Sequence, residues 1–236
     1  MKSVVITDLR TAEMREARDY LAAEGWQVLV PPEGIRLWKE EEVRAFADTC
    51  PETLEGVIHP APPPFQCPLE QSDEGLAAKA RDEGVMAAWC VTKAAGAVFR
   101  AKKSGCLIYI GSIHAEKPVG RGALFSMGCG AVQMLAREAC QDYGQFNVNV
   151  YFIQKGVTAA DPDSRSPVSA VYYGTDLRYP KREMPKDGHL NGLIAFLLTP
   201  EAAPLSGSDL RSDGGMTLYY VHRRKVEGRP YFDERK

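Results

Sequence analysis

Three side chains stand where chemistry could be done. Ser112 follows the apolar run Cys106 to Ile110, His114 lies two residues further on, and Cys129 falls in the amphipathic stretch Ala123 to Tyr143. A serine or cysteine becomes a nucleophile when a base takes its proton, and an acid/base residue needs a movable proton near neutrality. His114 is the only histidine near Cys129 in sequence, and Cys129 sits inside a packed helical pattern, so a buried, inert thiol is the favoured reading. For Ser112 alone, the favoured reading is a hydroxyl that caps a loop. Position 125 is Phe, which has no proton to move. His59 follows another short apolar run and reads as filling a polar strand end.

A second stretch, Thr7-Asp8-Leu9-Arg10-Thr11-Ala12-Glu13-Met14, joins a strand pattern to a helix pattern. At such junctions a diphosphate is cradled by bare backbone amides, for which glycine makes room. This turn has no glycine, its side chains fill the space, and Asp8 and Glu13 would repel a pyrophosphate. Dinucleotide binding by this chain is therefore not expected.

The elements that must position these residues alternate between strand and helix patterns. Val4 to Thr7 reads as a buried parallel strand, Thr11 to Glu24 as a helix with Met14, Ala17, Tyr20 and Leu21 on one face, and Gly25 as its terminator. Trp26 to Val30 is a second strand, Lys39 to Asp48 a polar helix, and Gly56 to His59 a third strand. The run Pro60-Ala61-Pro62-Pro63-Pro64-Phe65 predicts a stiff extended connector. A long helix is predicted over 75–103, a strand over 106–112, a helix over 123–143 and a strand over 148–153. Residues 160–188, rich in Pro, Ser and Asp, read as a variable loop, His189 to Leu198 as an apolar helix, and Leu205 to Gly215 as a last strand and turn. The tail 221–236 is charged with two aromatics. This pattern predicts one α/β domain over 1–236: a Rossmann-like, doubly wound parallel sheet of about six to seven strands with helices on both faces.

Bulk properties narrow the classes. The chain has 236 residues, 44% hydrophobic and 25% charged, with a formal net charge of −2. That balance offers no broad electrostatic case for nucleic acid. No apolar run is long enough to span a membrane, and the N-terminal stretch lacks the pattern of a signal peptide. The six cysteines are scattered without a C-x-x-C pair, so reduced thiols in a cytoplasm are expected and no metal site is.

The stretch from Gly105 to Tyr143, and the Asp213-Gly214-Gly215 turn, resemble the short-chain dehydrogenase/reductase (SDR) family. In that family a Ser ends the strand, a Tyr follows thirteen residues later, and a Lys follows four after that. Ser112 is in place, but the other two positions hold Phe125 and Cys129. Ser112, Phe125 and Cys129 are thus remnants rather than a catalytic set. The family's glycine turn is replaced by Thr7–Met14, its Pro-Gly turn by Gln154-Lys155-Gly156, and its helix Asn is missing, the first Asn of the chain being Asn147. Only about 25 residues separate the second and third strands, so one βα unit looks trimmed. The resemblance implies a chain without catalysis or NAD of its own. It would assemble with an active, NAD-bearing homologous subunit as a heterotetramer through the helices 75–103 and 123–143. The small residues Gly128 and Gly130 are read as allowing another helix to approach. The alternative is a divergent but active SDR-like oxidoreductase, or a ligand-binding protein using the old cleft.

Overall fold

Runs of β-branched residues buried on both sides build the sheet. In the computed structural model, β1 (Ser3–Ile6), β2 (Gln27–Leu29), β3 (Leu54–Pro60), β4 (Gly105–Ser112), β5 (Val148–Lys155) and β6 (Asp209–Ser212) form one sheet in the order β2-β1-β3-β4-β5-β6. Every pairing is parallel. The structure describes residues 1–118, 120–158, 179–181, 183–186 and 188–218. The variable loop, for the most part, and the tail 221–236 lie outside the described residues.

Two cores lie on the two faces. Alternate side chains Val4, Ile6, Ile58, Ile108 and Ile153 meet α1 (Ala12–Ala23) and a short helix at Asn191–Leu197. The intervening positions Val5, Val57, Leu107, Val150 and Phe152 meet α2 (Glu40–Ala47), α4 (Ala87–Lys102) and α5 (Ala123–Tyr143). This is the doubly wound arrangement, and the period of two along each strand delivers it. Buried phenols are paired: the Tyr151 hydroxyl donates to the Ala202 carbonyl at 2.8 Å, and Tyr109 and Thr92 hydroxyls lie 2.5 Å apart.

Three sequence expectations are corrected. The helix over 75–103 is not uniform: α3 (Glu74–Ala80) passes through a π-helical segment, Arg81–Met86, before α4 begins. Gly84 sits within that segment and is a poor helix former, which makes the wider turn cheap. The last helix covers only Asn191–Leu197, its start shifted by the turn through Gly188 and Leu190. For convenience it is α6 below. The third strand, expected over 56–59, runs over Leu54–Pro60, so His59 lies inside it rather than at its end, buried, with Nδ1 2.8 Å from Thr7 Oγ1.

The trimmed unit has a definite form. Between β2 and β3 the helix α2 is present and packs against α4, but among the described residues no strand lies beyond β2. The sheet consequently runs from three and four residues in β2 and β1 through seven to eight in the centre, and back to four in β6.

Candidate functional site

The chain turns outward from β1 to β2, then returns to the other side of β1 to form β3. Such a reversal leaves a crevice beyond the carboxyl ends of the strands, where α/β sheets bind their ligands. An open cleft occupies that place here. Glu13 and Met14 enter it from the first turn of α1, Phe65 from the loop after β3, Ser112 from the end of β4, Phe125 from α5, and Lys155 from the end of β5.

Ser112 caps a turn. Its Oγ accepts the His114 backbone N–H at 3.2 Å and so starts the short 3-10 turn Ile113–Ala115. Phe125 is 7% exposed and stands edge-on to Phe65 and to His114, with ring centres 6.4 and 6.1 Å away. Cys129 lies one helical turn behind it at 3% exposure, and burial pushes its thiol up to about 12. A thiol so placed is protonated and inert at neutral pH. It faces a smaller side chamber rather than the cleft itself.

The turn after β1 is filled by its own side chains. Thr7 is taken by His59. Asp8 folds back to accept the Arg10 backbone N–H at 2.8 Å and pairs with the Arg10 guanidinium at 2.7 Å, while Arg10 reaches Glu83 at 2.9 Å. Leu9 packs against the core on the α1 side. Thr11 caps α1 by accepting the Met14 N–H at 3.3 Å, Ala12 opens the helix, and Met14 is fully buried. Glu13, 5% exposed, faces Lys155 Nζ at 3.5 Å and His189 Nδ1 at 3.4 Å.

A dinucleotide diphosphate needs open amides and positive potential at the first turn of this helix. Here that turn is capped by Thr11, occupied by the Met14 side chain, and carries a buried carboxylate already matched to a lysine.

Sequence reasoning missed three participants. Phe65 closes the proline run, and its ring faces the cleft. Lys155 was visible as a charge ending an apolar strand, in the stretch Gln154-Lys155-Gly156. Glu116 had no signal, because its partners are distant in sequence: it accepts from Gln133 Nε2 (3.1 Å), Gln154 Nε2 (2.6 Å) and Arg211 Nη2 (2.7 Å). These bonds hold its carboxyl below the ordinary carboxylate range and tie the segment after Ser112 to α5, β5 and β6. Gly128 lines a small side chamber, and a Cβ at Gly130 would face the Ala115 carbonyl of the same chain at 3.6 Å.

Among the described residues no three His, Cys, Asp or Glu side chains converge as a metal site, and no helix is long and apolar enough to cross a membrane.

The sequence model described as enoyl-(acyl carrier protein) reductase, within the short-chain dehydrogenases, matches residues 3–217. The chain belongs to the SDR family. Among curated SDR relatives, the 3-oxoacyl-[acyl-carrier-protein] reductase MabA of Mycobacterium tuberculosis is 24% identical over 131 residues, 56% of this chain and 53% of that protein. Glucose 1-dehydrogenase 2 of Bacillus subtilis is 24% identical over 115 residues, 49% of this chain and 45% of that one. The chain thus matches about half the length of these relatives. In three dimensions it superposes on ElxO with NADP bound at a TM-score of 0.82 and 14% identity, covering 92% of this chain and 99% of that one. A gluconate 5-dehydrogenase from Burkholderia cenocepacia in complex with NADP and tartrate gives a TM-score of 0.80 at 16% identity, covering 92% and 96%. These structural likenesses, at such low identity, establish the Rossmann-like SDR fold.

Proposed function

We propose that this SDR chain is a non-catalytic subunit of a heteromeric alcohol dehydrogenase, assembling with and stabilising an active homologous subunit that carries NAD. The observation that carries the reading is the buried Glu13–Lys155 pair beside a capped, glycine-free turn. Side chains stand there in place of the amides a nicotinamide cofactor would need. Phe125 and Cys129 support it further, since neither can move a proton at neutral pH in its surroundings.

The surface supports a partner. Met127 and Met134, seven residues apart on α5, are 67% and 51% exposed, with exposed Ala131 between them. Trp89 adds an exposed ring on α4. A stripe of this kind on two long helices suits a helix pair from a homologous subunit, giving two and two in a heterotetramer. Obligate interfaces of that class bury roughly 2,000–5,000 Å². A finer form of the reading is the inactive subunit of a two-subunit hydroxyacyl-CoA dehydrogenase, such as the one that oxidises 2-[hydroxy(phenyl)methyl]-succinyl-CoA in anaerobic toluene degradation. The joint loss of turn glycines, Tyr and Lys supports it.

Coexpression with an intact SDR from the same genome, followed by size-exclusion chromatography, tests the assembly. A mixed complex is expected, lost in Met127→Glu with Met134→Glu. A stable monomer that changes neither the yield nor the activity of such a partner overturns it. Titration calorimetry of the isolated chain with NAD and NADP tests the cleft. A micromolar dissociation constant, about −8 kcal/mol, refutes the non-binding part.

A further inference from the structure

After β3 the chain forms one wall of the cleft, to which Pro60, Ala61, Pro62, Pro64, Phe65 and Gln66 all contribute. Two backbone contacts hold this stretch. At its start the Ala61 N–H donates to the Ile110 carbonyl at 2.7 Å. At its end the Cys67 N–H donates to the Arg121 carbonyl at 2.6 Å, and Cys67 and Gly122 make an isolated parallel bridge. Pro62, Pro63 and Pro64 in between have no N–H to give, and their fixed φ makes the span stiff, so it moves as a unit. The 3-10 turn Leu69–Gln71 that follows buries no side chain, and Leu69 is 69% exposed. The far end of the stretch therefore depends on its contact with Arg121 and on the Phe65 ring, which stands edge-on to Phe125 of α5.

The far contact is strained. Arg121 holds a left-handed φ of 54°, next to Gly120 at 77°, and in that conformation its carbonyl meets Cys67. A residue with a Cβ is disfavoured there, and such strain persists only while its surroundings hold it. Two arrangements of the same residues follow. In one the stretch is latched, with Arg121 strained and Phe65 against Phe125; in the other it is lifted, with Arg121 relaxed and the rings apart. We infer that residues 60–68 are a latched strap over the cleft, hinged at the Ala61–Ile110 bond. Release of Cys67 from Arg121 opens the cleft by a local motion well short of unfolding. Gly122 is also the N-cap of α5, so the latch lies at the start of a helix proposed to meet a partner. The strap does not depend on that assembly, nor on whether a nicotinamide binds.

Amide hydrogen exchange of the full chain, read by NMR, provides the test. Protection of the Cys67 amide is expected to be roughly a hundredfold or more below that of Ala61, at the hinge, and of Thr7, whose N–H donates to the Ile58 carbonyl at 3.0 Å. Arg121→Gly removes the strain and should raise Cys67 protection about fivefold. Arg121→Val places a β-branched residue in the same conformation and should lower it about tenfold. Phe65→Ala should lower it by about the same factor, because the ring and the amide leave together. Lys103→Gly relieves a left-handed residue at the end of α4, away from the strap, and should leave Cys67 unchanged. Equal protection of Cys67, Ala61 and Thr7 would mean that the strap lifts only on global unfolding, and overturns the inference. So does a Cys67 protection that follows Lys103→Gly, or one that is indifferent to Arg121→Gly and Phe65→Ala. Should Arg121→Val not fold, those two variants decide the matter alone.

Discussion

His59 makes acid stability a measurable property of this chain. Its imidazole is buried between Thr7 and the Tyr109 ring, and burial lowers its pKa from 6.5 to about 4, with Asp8 opposing and Arg10 reinforcing the shift. In the unfolded chain the ring protonates near its ordinary value, while in the folded protein it stays neutral to much lower pH. Between those values the unfolded state binds more protons, so stability is full above about pH 6.5, falls as pH drops toward 4, and levels off below. A shift of this size is worth about 3 kcal/mol in all, of which about 2 kcal/mol is already lost at pH 5. For a chain of this length that corresponds to a fall in Tm of about 4–8 °C. Urea unfolding followed by circular dichroism at pH 7.5, 6 and 5, in wild type and in His59→Asn, isolates the effect. The substitution keeps a polar atom for Thr7 and leaves the other three histidines untouched. The variant should be less stable at pH 7.5 yet lose about 2 kcal/mol less than wild type on going to pH 5. Parallel losses in the two proteins would show that His59 is solvated or already charged, and the reasoning fails.

The double substitution Phe125→Tyr with Cys129→Lys should give no turnover of alcohols with NAD or NADP, because the diphosphate turn is still missing and catalysis needs all parts placed together. It should also cost several kcal/mol of stability, since the ammonium enters apolar surroundings; measurable activity without a partner would contradict the first statement, and unchanged urea unfolding the second. Gly156→Ala brings a Cβ to 2.7 Å from Asp213 Cα, against backbone, and should cost about 1–3 kcal/mol in urea unfolding. It should also disturb the turn in which Asp213 Oδ1 accepts the Gly215 N–H at 2.8 Å. Lys103, at the end of α4, holds a left-handed φ of 57°, so Lys103→Gly should stabilise the chain by about 1 kcal/mol. No gain would mean that its side chain contributes as much as the strain costs.

The sheet was readable because each strand is a short β-branched run buried on both faces, and because helices separate the runs. α5 was legible to its ends, Ala123 and Tyr143, since Gly122 and Gly144 flank a sustained apolar period. The π segment was not legible: its hydrogen bonds shift by one residue without altering the apolar period on either side. The family frame could be read from Ser112, Phe125 and Cys129, which lie within one strand, loop and helix. Lys155 and His189, which meet Glu13, come from β5 and from the turn before α6, and only the folded sheet brings them to α1. Glu116 is a sharper case, with one partner 95 residues away and no pattern in between.

The graded strand lengths bear on how this molecule behaves in a crowded solution. An unpaired strand edge is a template, and a long flat one recruits strands from other chains. Here β2, at one margin, is three residues long, and β6, at the other, is four. At about 3.3 Å per residue, the β2 margin offers a backbone ladder of only about 10 Å. That is too short to nucleate a stacked ribbon. Among the described residues the sheet thus ends on its shortest members, which offer little ladder for a strand of another chain to join.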